Sequence, residues 1–365
     1  MATTTTAGVR RPARSVNALT TGRLPKAAPL AILLGGWVVM GVVFALLDAA
    51  GVTKSFNWVG AIILGTVLYA VLVFVVAMQI EGIRRAKDRV VTTAVSAAFI
   101  IALVPLVSLL VTVVTSGSNR FDGDFFSMSM RNVVGEGGGG LHAITGTLLI
   151  TALAAVISVP IGLLTAIYLV EYGRGRLARA ITFFVDVMTG IPSIVAGLFA
   201  YALFVIFFGE GVRMGAAGSV ALAVLMIPVV VRSTEEMLKL VPNELREASY
   251  ALGVPKWLTI LKIVIPTSVA GITTGVMLAI ARIIGETAPL LITAGFTASM
   301  NYDLFDGRMQ SLPVFAYSSY VSQGTDAAAF IDRAWASALT LILMVMALNL
   351  LARLIARVFA PKLGR

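Results

Sequence analysis

The sequence predicts an all-α integral membrane protein with about eight transmembrane helices. The chain is 58% hydrophobic and 13% charged, with a mean hydropathy of +0.95. An ordinary soluble domain is about 45–50% apolar and about 25% charged. Eight stretches are long and apolar enough to cross roughly 30 Å of hydrocarbon: 30–50, 58–80, 90–115, 143–170, 180–208, 214–232, 267–291 and 335–357. Lipid offers no partner to backbone N–H and C=O groups, so a spanning segment must be a helix or part of a closed barrel. Runs this long and continuous predict helices.

Taken in order, residues 1–29 are rich in Thr, Ala, Arg and Pro and are expected to be a disordered tail. The 30–50 span is too long and too rich in Leu and Val for the short apolar core of a cleaved signal peptide, so it reads as an anchor. With 58–80 it forms a hairpin through a short turn near 51–57. The loop at 116–142 contains Gly135-Glu136-Gly137-Gly138-Gly139-Gly140. A phosphate cradle needs a strand before such a run and a helix opening after it. Neither a strand nor a following Lys-Ser or Lys-Thr is present, so the loop is expected to be a flexible extracytoplasmic connector. No GxxxxGK[ST] occurs anywhere, and the chain has no recognisable means of hydrolysing ATP.

Pro160, Pro192, Pro228 and Pro289 fall inside spans, where each removes a helix hydrogen bond. Thr189-Gly190-Ile191-Pro192-Ser193 combines a breaker pair with two hydroxyls in mid-span. The freed carbonyls of such a break can line a cavity, and a plain packing kink is the alternative.

The formal charge is +10. Most Lys and Arg gather in the N-terminal tail, in the loops after the second and fourth spans, in 233–266 and at the C-terminal end. The opposite side has Lys54, Arg120, Arg131, Arg213, Arg308 and Arg333. The positive-inside rule places both termini and the 233–266 loop in the cytoplasm. The basic excess therefore marks topology and contact with anionic membrane lipid rather than nucleic acid. There is no Cys, hence no disulfide framework and no thiolate metal site. The lone His142 is expected on the solvated surface. No metal site and no resident cofactor are expected.

Residues 233–266 form a charged segment between two apolar spans. Pro242-Asn243 before Glu244 is a helix start, and Gly253-Val254-Pro255 stops that helix. A second short helix runs from about Lys256 towards Pro266. Two short helices with a Gly corner make a rigid knob. Within it, Glu247-Ala248-Ser249-Tyr250-Ala251-Leu252-Gly253 is followed nine residues later by Ile263-Val264-Ile265-Pro266. This spacing resembles the coupling loop of importer permeases driven by a separate ATP-binding-cassette subunit: Glu-Ala-Ala, three residues, Gly, nine residues, Ile-x-Leu-Pro. Ser249 stands for the second Ala and Ile265 for Leu. The resemblance implies that Glu247, Ala248, Ser249 and Gly253 meet the ATPase. An amphipathic surface loop is the plainer alternative.

Arg282 lies 16 residues past Pro266, about 24 Å along a straight helix. An arginine in mid-span costs roughly 2.5–3.5 kcal/mol on insertion scales and normally faces a bundle interior or a watery path. Glu286, four residues on, is expected on the same face within reach. An Arg–Glu structural pair is the alternative to a substrate role. Arg232 closes the sixth span, as a substrate ligand or an ordinary flank charge. Asp186 and Glu171 sit near predicted inner ends and receive no role. Guanidinium groups suit a tetrahedral oxyanion because their planar donors grip it bidentately and stay charged.

Thr189-Gly190-Ile191-Pro192-Ser193-Ile194-Val195-Ala196-Gly197-Leu198-Phe199 and Arg282-Ile283-Ile284-Gly285-Glu286-Thr287-Ala288-Pro289-Leu290-Leu291 resemble the PstA permease family of high-affinity phosphate importers. The resemblance covers about residues 90–357. It implies a type I importer core at 90–365, preceded by an extra hairpin at 30–89. It further implies that Arg232, Arg282 and Glu286 handle phosphate. The partners implied are a PstC-like sister permease, a PstB-like ATPase dimer that binds the ATP, and a PstS-like external phosphate-binding protein. The chain would be a transport subunit of the bacterial cytoplasmic membrane, not an enzyme. A permease for sulfate or phosphonate, or an ion-coupled secondary transporter, is the alternative. The latter predicts inverted repeats, and none is clear.

Overall fold

The computed structural model describes residues 24–25, 27–52 and 55–359. Most of the tail expected to be disordered, and the last six residues with Lys362 and Arg365, lie outside them. Among the described residues every regular element is helical. Seven helices are long and apolar enough to cross a membrane, or eight if a bent pair counts as one. The chain divides into two compact units, through Ser108 and from Leu109 onward.

In the first unit, α1 (Ala28–Ala49) and α2 (Trp58–Glu81) form the expected hairpin. Glycine makes their close approach possible. A Cβ on Gly36 would stand 2.8 Å from the carbonyl oxygen of Gly65, and one on Gly65 would stand 2.7 Å from the Trp37 ring. Membrane helices associate through this kind of small-residue packing, because lipid tails leave no hydrophobic drive between them. Glu81 receives the guanidinium fork of Arg89 at 2.7 and 2.8 Å, together with the Leu24 amide at 2.7 Å. Helix α3 (Ile83–Gly117) begins earlier than its predicted span and carries Pro105.

In the second unit, a short helix α4 (Gly123–Ser127) precedes α5 (Leu141–Ile167), which continues through a wider π turn to Tyr172. The predicted fifth span is not one straight helix. It divides into α6 (Arg176–Thr189) and α7 (Ser193–Phe208), bent by 110° at the Gly190–Pro192 break. Pro192 has no N–H to continue the ladder.

Helix α8 (Gly215–Lys239) is the most buried candidate span. Its opening Gly215-Ala216-Ala217-Gly218-Ser219 lets neighbours press against the backbone. It runs parallel to α5: Ser219 Oγ donates to the Ile150 carbonyl at 3.0 Å near the start, and Gly162 meets Val230 further on. The bent α6–α7 pair between these two parallel helices therefore makes one net crossing. Helix α8 also extends seven residues beyond the predicted end of its span, so Ser233–Lys239 is helix and not loop. The apolar core joins α5, α7 and α8 through Ile150, Ala196, Leu222, Met226 and Val230.

The chain then forms α9 (Asn243–Ala251) and α10 (Lys256–Thr259). A π turn at Ile260–Val264 carries α10 without interruption into α11 (Ile265–Ile283). Helix α11 packs antiparallel to α8. A Cβ on Gly275 would meet Ser233 at 2.6 Å, and one on Gly271 would meet the Met237 sulfur at 2.3 Å. The predicted span to 291 is cut short, because α11 ends at Ile283 and a separate α12 (Ala288–Thr293) packs against α7. A Cβ on Gly197 would stand 2.7 Å from Pro289. After α13 (Leu312–Val321), the last helix α14 (Ala327–Phe359) starts eight residues before its predicted span.

The glycine-rich loop is packed rather than free. A Cβ on Gly139 would lie 2.4 Å from the Asp124 carbonyl oxygen. Arg333 donates to the carbonyls of Gly135 and Gly137, both at 2.8 Å, and Arg120 to that of Gly138 at 2.7 Å. His142 is buried, not solvated, and packs edge-on against Phe315 at 5.0 Å.

Candidate functional site

The segment 240–264 forms the knob. Helix α9 ends on a paired hydrogen-bond pattern: Gly253 N–H donates to the Tyr250 carbonyl at 2.9 Å, and Val254 N–H to that of Ser249 at 3.2 Å. This is a Schellman ending, which needs a left-handed residue at Gly253, and its φ is +76°. Pro255 then opens α10. Glu247, Ala248 and Gly253 are all exposed, as are Leu245, Leu252 and Trp257. Ser249 is not. It is buried, and its hydroxyl shares a hydrogen bond of 2.8 Å with that of Thr259. Its small size serves the contact between α9 and α10, which departs from its expected place among the exposed contact residues.

The knob is fixed to the bundle by residues that sequence reasoning did not assign. Arg246 donates from Nε and Nη2 to Glu171 Oε1 at 3.0 and 2.8 Å. It also donates to the carbonyls of Val241 at 2.6 Å and Leu238 at 3.0 Å. Glu171, expected to be interfacial, is buried at the end of α5. Lys256 bonds the Glu171 carbonyl and lies 4.9 Å over the Tyr172 ring. Arg246 therefore joins α5, the end of α8 and α9 through one guanidinium. The signal in the sequence was an acid closing a 28-residue apolar run, a place that calls for either a partner or water.

Arg232 lies near the knob end of α8. Its guanidinium meets Asp186 of α6 through Nη2 and Glu235 through Nη1 at 2.8 Å. Glu235 in turn holds Lys239 at 2.6 Å. Asp186, given no role from sequence, thus joins the broken crossing to the central helix.

Arg282 occupies the last turn of α11, where the helix dipole favours a cation. It is exposed, and among the described residues it makes no ion pair. Glu286 does not share its helical face, because the helix ends three residues earlier and Gly285 turns the chain. The expected Arg282–Glu286 pair is not formed. The antiparallel register sets Arg232 level with about Val276. Arg282 is then six residues further along, about 9 Å. The structure sets the two guanidiniums at different levels along the α8–α11 pair and does not gather Arg232, Arg282 and Glu286 into one cluster.

At the opposite end from the knob, a cavity of about 320 Å³ is lined by Arg120, Glu136, Asp326, Asp332 and Arg333. It contains none of the predicted site residues.

Residues 158–365 match the family of binding-protein-dependent transport system inner membrane components. The chain is 50% identical over 281 residues to the phosphate transport system permease protein PstA of Mycobacterium leprae, covering 76% of this chain and 90% of that one. It is 49% identical over 275 residues to PstA 1 of Mycobacterium tuberculosis, covering 74% and 89%. The corresponding protein of Yersinia pestis is 41% identical over 280 residues, covering 76% and 92%. Among solved structures, the inward-facing MetNI methionine ABC transporter superposes with a TM-score of 0.51 at 20% identity, covering 60% of this chain and 96% of that chain. That likeness concerns the fold. On the strength of the matched segment and of relatives this similar over nearly their whole length, the chain belongs to the binding-protein-dependent transport permeases and, among them, to the phosphate transport system permease proteins PstA.

Proposed function

We propose that this chain is the membrane permease subunit of an ATP-driven phosphate importer, forming half of the path for inorganic phosphate. The observation that carries the reading is the 41–50% identity to PstA permeases over about three-quarters of the chain. A permease of this class needs a separate motor, and the exposed knob at 243–264 supplies a surface for it: Glu247 and Ala248, flanked by Leu245, Leu252 and Trp257. The reading places this chain beside a PstC-like sister permease, with a PstB-like ATPase dimer at the knob and a PstS-like binding protein at the opposite end. It also places the knob and both termini in the cytoplasm, consistent with the distribution of Lys and Arg.

Phosphate cannot enter hydrocarbon bare, so it needs cationic donors along its path. Arg282 offers a free planar fork far from the knob, and Arg232 a second guanidinium nearer to it. Glu286, no longer tied to Arg282 by helical register, stands at the turn after α11 and is assigned a part in shaping that outer station. ATP closure on the knob moves α9 and α10, and the continuous α10–α11 rod passes that motion to Arg282. The test is ATP-driven orthophosphate uptake by the reconstituted importer. Arg282→Ala should abolish uptake, and Arg282→Lys should retain part of it because the charge stays while the fork is lost. Normal uptake by Arg282→Ala would remove the outer station. Inhibition by excess sulfate as strong as by unlabelled phosphate would replace the cargo.

A further inference from the structure

The two carboxylates on Arg232 differ in kind. Glu235 sits one turn along the same helix, and its side chain is only 12% exposed. Lys239 holds its other oxygen, so it is a fixed partner. Asp186 comes from α6, the half of the broken crossing that hinges at Gly190–Pro192, and its side chain is 59% exposed. It reaches Arg232 through Nη2 alone.

Glu235 holds Arg232 through Nη1 and Asp186 holds it through Nη2, so a phosphate on the remaining donors would sit beside both carboxylates. A phosphate dianion bound beside the Asp186 carboxylate meets like-charge repulsion, which the departure of Asp186 relieves. We propose that Asp186 is a displaceable counter-ion: phosphate reaching Arg232 exchanges with Asp186, and the return of Asp186 expels phosphate towards the knob end. This rests on the reading of Arg232 as a phosphate ligand.

The exchange has a physical rationale at both ends of the cycle. Without cargo, Asp186 and Glu235 keep Arg232 compensated, so the knob end of the path carries no unpaired cation. With cargo, phosphate takes over that task and α6 loses its ion pair to α8, leaving the apolar cluster that Val185 shares with Val231. Cargo occupancy is thereby linked to the freedom of the hinged half-helix. Asp186 is suited to leave because it is exposed and water can receive it. Glu235 is buried and doubly held, so it stays.

The test is equilibrium binding of radiolabelled orthophosphate to the complete, nucleotide-free importer in detergent. Asp186→Asn removes the competing charge at constant shape and should tighten binding about fivefold, the upper range for an exposed ion pair. Asp186→Glu should bind as the wild type does. Arg232→Gln should bind more weakly. A damaged fold weakens binding, so a gain in affinity is not explained by misfolding. Binding by Asp186→Asn that is unchanged or weaker, while Arg232→Gln is impaired, overturns the exchange and leaves Arg232 as a ligand. Wild-type binding by Arg232→Gln removes Arg232 as a ligand and the exchange with it.

Discussion

Replacing Arg246 with alanine should detach the knob from the bundle without unfolding the bundle itself. Arg246 makes two bonds to Glu171 and one each to the carbonyls of Val241 and Leu238, and a longer one of 3.3 Å to the Asn243 side chain. The Arg246 and Glu171 side chains are 12% and 5% exposed, so solvent screening offers little relief. Removing one member of a buried pair costs about 3–5 kcal/mol, because the remaining charge is left uncompensated. At about 1.4 kcal/mol per tenfold, amide exchange through local opening of 243–252 should rise by roughly a hundredfold or more. The assay is hydrogen exchange on the purified importer, followed by mass spectrometry, with phosphate uptake in parallel. Uptake should fall while exchange in α5 and α8 changes little. The double variant Arg246→Ala, Glu171→Ala strands no charge and should recover part of the protection lost in the single variant. Exchange in α9 within threefold of wild type for Arg246→Ala would refute the clamp. A double variant no better protected than the single one would refute the stranded-charge account of its size.

Three further outcomes are expected. Gly253→Ala meets no neighbouring atom but forces a non-glycine residue to φ +76°, costing about 1–2 kcal/mol; hydrogen exchange across 249–256 should report it. Ser249→Ala restores the usual Glu-Ala-Ala pattern yet loses the buried Thr259 bond, so it should destabilise the knob by about 1 kcal/mol in thermal unfolding while leaving ATPase co-purification intact. Gly146→Ala places a Cβ 1.9 Å from the Gln310 carbonyl oxygen and should lower the unfolding temperature by an amount equivalent to about 1–3 kcal/mol or more, whereas Gly35→Ala, with open space around it, should not lower it.

The α1–α2 hairpin was legible almost to the residue, because a 20-residue apolar run in lipid has few conformational choices. The knob was legible too: Pro242, Gly253 and Pro255 are local punctuation, and local rules decide where a short helix begins and ends. Reading failed where neighbours override local composition. Ser233–Lys239 looked like loop because it is charged, yet Glu235 and Lys239 pair along a helix that α5 and α11 support. The 180–208 run makes the single net crossing expected of it, but as two helices bent by 110°, because hydropathy counts residues and not direction. Glu171 and Asp186 received no role, since an acid at a span end is ambiguous until its partner is seen 75 residues away in Arg246 or 46 away in Arg232.

The sequence by itself determined the solvent, the helical class, the resemblance to a permease family and the place of the knob. These follow from composition, run length and short spacings, all of which are read within one continuous segment of chain. Only the tertiary structure decided that Ser249 faces inward, that Arg246 clamps Glu171, and that Arg232 and Arg282 stand at different levels along the α8–α11 pair. Those facts depend on the register between helices distant in sequence. That register is set by which glycines let backbones touch and which buried charges find a partner.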